Sequence, residues 1–300
     1  MLNKMRHAVI ISKPHHVIHA LNLIKQRNLK DGIIFIITNS FYGAKDLFLK
    51  MAKLNDFGLK SVLLFEENRL KIYDIILQFE LTDLITDSDV GFKHFFYLLK
   101  LRFRQPKVKI ILFEEGWGPY YLKVEPKIKN ILFNLFGIGA NFGGCCFTNE
   151  IYLYDVDEYI KNFPKCSHKA VQYKLPMKEF MFKNLELINF LFPLNSEKFL
   201  SSPRKDHCKL YLTDKVVWAS GLKDFHSQNV DLYIKYHPGF NGQIKSSEWK
   251  EFNRALPTEV ILIKMLDLYK NIEVIHHFSS VKRYVQDKRI KYLDLGKTPH

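Results

Sequence analysis

Three short groups of residues carry side chains suited to moving a proton and holding a phosphate: Glu114-Glu115-Gly116, His237-Pro238-Gly239 and Ser279-Ser280. Glu114 and Glu115 end an apolar run, and Gly116 and Gly118 make the turn after it tight. A carboxylate buried beside a like charge gains proton affinity, which suits a general base acting on a hydroxyl. Either glutamate fits that role, Glu114 being weakly favoured, and the plainer alternative is a pair of loop carboxylates capping the next helix. Proline fixes its own φ and biases the residue before it toward extended geometry. The His237 imidazole is thus held at the end of the run 231–236, where it protonates or hydrogen-bonds a leaving phosphate. The alternative is a turn histidine with no chemical part. Ser279 and Ser280 precede an expected helix over 281–286. Serine there caps the helix, and a helix start with hydroxyls and free N–H groups also receives a phosphate. His15, His16, His276 and His277 show no metal-ligand spacing.

Something must hold these groups, and the chain offers short apolar runs alternating with amphipathic stretches. Strands are expected at 7–12, 32–38, 60–65, 82–86 and 107–113, with helices after Pro14, near 44–54 and over 92–103. A second series of strands is expected at 209–213, 231–236, 273–276 and 290–293. Between the series, 176–192 reads as one helix with proline in its first turn and Pro193 at its end. Strands alternating with helices imply parallel, doubly wound sheets. The expected architecture is α/β with two doubly wound, Rossmann-like domains, 1–165 and 166–300. Ligands of such sheets sit beyond the carboxyl ends of the strands, where Glu114 and His237 fall.

The chain has 300 residues, 47% of them hydrophobic, which suits two packed cores. Its net charge of +14 reports attraction to anions: nucleic acid, acidic lipid or a negatively charged substrate. Cys145, Cys146, Cys166 and Cys208 form no regular framework and read as free thiols of a reducing compartment. The apolar run after residue 7 is too short for a signal-peptide core, and no apolar window is long enough to span a bilayer. A cytoplasmic protein, peripheral on the inner face of the membrane, is the expectation. Zinc spacing, a helix-turn-helix signature and an RNP-like strand are all missing, so no nucleic-acid partner is expected.

Taken in chain order, Glu-Glu-Gly, His-Pro and Ser-Ser resemble the bacterial sialyltransferases of the lipooligosaccharide and capsular polysialic-acid families. Those families share an acidic-acidic-Gly motif and a His-Pro motif, and the polysialyltransferases add Ser-Ser/Thr. Val9-Ile-Ile-Ser-Lys-Pro14 and Glu150-Ile-Tyr-Leu-Tyr-Asp155 also look like the lipooligosaccharide enzymes. The resemblance implies a GT-B-like fold, two domains facing a central cleft. It implies an inverting, metal-independent transfer of sialic acid from CMP-sialic acid to a hydroxyl of a cell-surface glycan, with no cofactor. On it, Glu114 or Glu115 is the base, His237 serves the leaving phosphate, and Gly116, Pro238, Gly239, Ser279 and Ser280 bind substrate. Many relatives carry Asp in the acidic motif, whereas both residues here are Glu, and acceptor, linkage and single addition versus polymerisation stay open. The competing readings are transfer of another nucleotide-activated sugar, a non-catalytic basic nucleic-acid-binding protein, and a lipid- or sugar-binding module.

Lys93, Lys100, Arg102, Arg104, Lys107 and Lys109 cluster around the aromatic-rich stretch 92–103. Lys123, Lys127 and Lys129 lie near Leu132, Phe133 and Phe136. A basic amphipathic helix of this kind lies on anionic membrane and suits a lipid-linked glycan acceptor. The alternative is a solvated helix whose aromatics belong to the core.

Overall fold

The computed structural model describes residues 6–54, 60–66, 71–121, 127–194, 206–213, 230–237 and 249–296. Lys123, Pro238 and Gly239 lie outside the described residues. The chain forms two compact units, one of residues 1–40 and 44–177, the other of 41–43 and 178–300.

The first unit is built on a seven-stranded sheet. Its strands are β1 (His7–Ile11), β2 (Asp31–Thr38), β3 (Lys60–Glu66), β4 (Asp83–Thr86), β5 (Lys109–Phe113), β6 (Thr148–Leu153) and β7 (Ala170–Gln172). They lie in the order β3-β2-β1-β4-β5-β6-β7, and every pairing is parallel. Continuous apolar runs make these strands because both faces of a parallel sheet are covered. Ala8–Ile11 and Ile110–Phe113 are accordingly buried without a break. Helix α1 (His16–Gln26) covers the sheet with its residues 16 to 24 all buried. The other helices are α2 (Ala44–Met51), α3 (Lys71–Ile76), α4 (Phe92–Arg104), α5 (Gly118–Tyr121), α6 (Lys127–Leu135) and α7 (Val156–Asn162). β7 pairs with β6, which keeps residues beyond 165 in this unit.

The second unit holds a five-stranded parallel sheet: β8 (His207–Leu212), β9 (Asp231–Lys235), β10 (Lys250–Glu251), β11 (Asn271–His276) and β12 (Ile290–Asp294). Its order is β10-β9-β8-β11-β12. Helix α10 (Thr258–Leu268) is buried along most of its length, and α11 (Val281–Tyr284) is a single turn. The helix expected over 176–192 is instead two, α8 (Met177–Lys183) and α9 (Leu185–Leu191). Asn184 breaks it. Its side chain donates to the Phe180 carbonyl at 2.6 Å, taking the acceptor a continuous helix would give to a backbone N–H. The doubly wound α/β class read from the sequence holds for both units.

Candidate functional site

In the first sheet the strand order reverses at β1 and β4, which are neighbours with crossovers leading away on either side. In open α/β sheets ligands bind beyond the carboxyl ends of the strands at such a switch point. Each strand there ends in polar residues: Ser12 after β1, Asp87 after β4, Glu114 and Glu115 after β5. The Ser12 hydroxyl donates to Asp87 Oδ2 at 2.7 Å, and the Ser12 carbonyl accepts from the Ser40 hydroxyl at 2.9 Å. The Ser12 backbone N–H donates to His16 Nδ1 at 3.3 Å. An imidazole that accepts at Nδ1 carries its proton on Nε2 when neutral. His16 Nε2 lies 3.7 Å from Glu115 Oε2, and Lys13 forms an ion pair with the other oxygen of the same carboxylate.

The two adjacent glutamates differ sharply. Glu114 has no exposed surface, and its Oε2 accepts from the Tyr120 hydroxyl and, at 2.7 Å, from the Tyr154 backbone N–H. Tyr120 in turn accepts from the Asp155 N–H at 3.2 Å. Glu114 therefore ties the turn after β5 to the turn after β6. Glu115 is half-buried and keeps about a fifth of its side chain open to solvent (22%). The turn requires Gly116, whose φ of 60° lies in the left-handed region.

Three histidines on or just before the first turn of α1 pack against this turn. The rings of His16 and His19 lie 5.2 and 6.1 Å from that of Phe113, and His15 contacts both. Burial holds the His19 imidazole down to about 3, so it is neutral across the physiological range. One donor atom each from His15, His16 and Glu115 lie within 4.8 Å of one another, a set of types able to ligate a metal ion.

The second unit repeats the placement. Its order reverses between β8 and β11. Thr213 follows β8, His237 follows β9, and His276 ends β11 with His277 next. The His237 N–H donates to Thr213 Oγ1 at 2.8 Å, and the imidazole is half-buried. His276 is buried, and desolvation pulls its pKa below the ordinary value while Asp294, 3.6 Å away, opposes that fall. The Ser279 N–H donates to His276 Nδ1 at 3.2 Å, and His277 Nε2 is 3.0 Å from the Tyr211 hydroxyl. Phe278, at φ 50°, turns the chain between them, a conformation bulky residues rarely take. Ser279 and Ser280 are half-buried. Ser280 sits at the cap of α11 without a capping side-chain bond, whereas Ser279 Oγ accepts weakly from the Val281 N–H at 3.4 Å. The helix expected over 281–286 is one turn, so hydroxyls and backbone N–H groups, not an extended helix dipole, are what this end offers.

No family model matches the sequence, and no curated protein sequence does. Solved structures do match in fold. An alpha/beta-galactoside alpha-2,3-sialyltransferase from Photobacterium phosphoreum aligns over 95% of this chain and 88% of its own, with a TM-score of 0.56 at 14% identity. UGT89C1 from Arabidopsis thaliana, solved with UDP, aligns over 97% and 86% with a TM-score of 0.51 at 12% identity. A UDP-GlcNAc 2-epimerase from Methanocaldococcus jannaschii aligns over 97% and 89%, TM-score 0.52, at 9% identity. The fold is GT-B.

Within its first GT-B unit the structure gathers three segments that are far apart in sequence: Ser12 and Lys13, Glu114 and Glu115, and Tyr154 and Asp155. The Tyr154 N–H on Glu114 joins the last two segments by one hydrogen bond. His16 and Asp87 were not singled out as site residues from the sequence. A polar residue directly after a strand was the available signal for Asp87. For His16 the signal was a histidine in the first turn of a helix otherwise apolar on that face.

Proposed function

We propose that this GT-B chain is an inverting glycosyltransferase that moves sialic acid from CMP-sialic acid to a hydroxyl of a cell-surface glycan. The observation that carries the proposal is the half-buried Glu115 carboxylate at the carboxyl end of β5, beside the switch point and flanked by His16 and Lys13. A base must reach a proton on a bound hydroxyl, and a side chain with exposed surface does so where a fully enclosed one does not. Glu115 is therefore assigned as the base and Glu114 as the residue that fixes its turn. In the step proposed, Glu115 takes the acceptor proton as the acceptor oxygen bonds to the anomeric carbon. The bond from that carbon to the phosphate oxygen breaks, the electron pair leaves with CMP, and configuration inverts. His237 offsets the charge growing on the phosphate, with the hydroxyls of Ser279 and Ser280 as further ligands. No cofactor or metal takes part in the proposed step.

A second reading keeps the fold and changes the donor. Two of the matching structures are named for UDP or a UDP-sugar, so a UDP-activated donor is the direct competitor. Nucleotide release should be measured with CMP-sialic acid and UDP-GlcNAc against an oligosaccharide panel, with and without a chelator. Glu115→Ala and His237→Ala should each lose most turnover while staying folded. CMP release at wild-type rates in both variants rejects the assigned roles. Release of UDP alone transfers the mechanism to the second donor.

A further inference from the structure

Helices α4 and α6 each turn a line of large apolar side chains toward solvent. On α4 these are Phe92, Phe96, Leu99 and Phe103, spaced by four, three and four residues so that they share one face. Phe103 is 88% exposed, while Leu98 and Leu101 on the opposite face are buried in the core. On α6 they are Ile128, Ile131, Leu132 and Leu135, with exposures of 72, 67, 49 and 74%, and Phe136 follows. Phe133, pointing the other way, is buried. A surface helix ordinarily faces its apolar stripe inward, so two outward stripes side by side are an unpartnered apolar surface.

The two stripes are held as one. The Phe92 and Phe133 rings meet edge to face at 4.7 Å, and the Gly91 N–H donates to the Gly139 carbonyl at 2.9 Å. Gly139 has to be glycine, because a Cβ there would come within 2.4 Å of the Asp89 carbonyl oxygen. Lys93 and Arg104 lie exposed along one flank of the α4 stripe, with Lys100 between them paired to Asp74 at 3.1 Å, and Lys129 extends over the Phe133 ring from α6. Arg102 is engaged otherwise, donating to the Pro106 and Val108 carbonyls.

We propose that this face is a docking surface for an anionic lipid bilayer. The stripes enter the headgroup–acyl boundary, and the flanking cations meet the acidic headgroups. Charge complementarity decides for this occupant: a second copy of the chain would bring the same basic flanks together, and the net charge of +14 favours an anionic surface. The aromatic-rich α4 thus splits its rings between core and solvent, Phe95 and Tyr97 packing inward while Phe92, Phe96 and Phe103 do not. The docking surface stands independently of which sugar the enzyme transfers.

Co-sedimentation of the whole chain with vesicles of phosphatidylcholine, alone or mixed with phosphatidylglycerol, tests it at low and high salt. Binding should be at least about tenfold stronger on the anionic vesicles and weaken with salt. Lys93→Glu with Arg104→Glu, and separately Phe96→Ser with Phe103→Ser and Leu135→Ser, should each cut it about tenfold at unchanged melting temperature. Phe103→Trp should show a blue-shifted emission on the anionic vesicles only. Absence of vesicle binding at low salt overturns the proposal. So does a dimer in light scattering that Leu135→Asp dissolves, because the face is then a contact between copies.

Discussion

His16 Nε2 stands 3.7 Å from Glu115 Oε2, and the Ser12 N–H on His16 Nδ1 leaves the proton on the nitrogen that faces the carboxylate. The gap is too long for a hydrogen bond but short enough for the N–H dipole to favour the charged carboxylate. His16 is thereby a positioning residue for the proposed base. His16→Leu keeps the buried bulk and removes the dipole. Under the proposed mechanism, kcat falls by about tenfold with KM little changed. The acid limb of the pH–rate profile moves to higher pH, because a carboxylate without that dipole beside it holds a proton more tightly. An unmoved profile assigns His16 to packing alone.

Glu114 and Glu115 are adjacent in sequence yet should fail differently. Glu114→Ala leaves the buried Tyr120 hydroxyl and Tyr154 N–H without their acceptor, a loss of about 2 kcal/mol or more. Its melting temperature should drop by several degrees. Glu115→Ala removes a partly exposed group and should melt close to the wild type while losing turnover. Thermal unfolding of both variants, set beside their nucleotide release, separates the two roles. A destabilised Glu115→Ala with an intact Glu114→Ala reverses the assignment.

The pattern of strands was legible because parallel strands buried on both faces leave unbroken apolar runs, such as Ile110 to Phe113 and Ala8 to Ile11. The Glu-Glu turn was legible for the same reason: its two charges stop a run that cannot hold them. β6, β7 and β10 were not: β6 opens on the polar Thr148, Asn149 and Glu150, the three residues of β7, Ala170 to Gln172, are half-buried or exposed, and β10 is two charged residues. Nor was the break at Asn184, where one side-chain hydrogen bond outweighs a helical pattern that continues through it. Periodicity marked α4 as amphipathic but does not say which stripe the core takes, and here both stripes are apolar. Asp87 meets Ser12 and His16 only through the strand order, which no local pattern encodes.

Asp89 joins segments of the first unit more than fifty residues apart. Its carboxyl accepts from the Gly143 N–H at 2.9 Å, the Cys145 N–H at 3.0 Å and the Thr148 hydroxyl at 2.7 Å. Burial raises its pKa, and the three donors together with Lys169 oppose that rise. Asp89→Asn puts an NH2 group where donors already point, so at least one buried N–H or hydroxyl loses its acceptor. The expected cost is about 1 to 3 kcal/mol. Thr148→Val removes one donor and should cost less, about 1 kcal/mol. Urea unfolding of the two variants tests the order, and a Thr148→Val variant less stable than Asp89→Asn contradicts it.

The second unit carries a buried charge pair whose effect on stability has a definite sign. Lys235 on β9 is 5% exposed, and burial lowers its pKa from the ordinary 10.5 to about 8, with Glu259 opposing the fall. Between those values the unfolded chain binds the proton that the folded chain releases, so stability rises with pH from about 8 toward 10.5. Tyr233 and Tyr269 act in the opposite sense only above their ordinary 10.0, because burial raises both. Cys208 and Cys145, raised from their ordinary 9.0 by burial, pull the other way above about 9, so urea unfolding at about pH 7 and about pH 9.5 should show a change more favourable in the wild type than in Lys235→Met by on the order of 2 kcal/mol. At neutral pH Lys235→Met should be at least as stable as the wild type, because the lowered pKa means that the folded chain favours the uncharged state at this position. A variant destabilised at neutral pH instead shows that the buried Glu259 needs the Lys235 charge beside it, and overturns this reading.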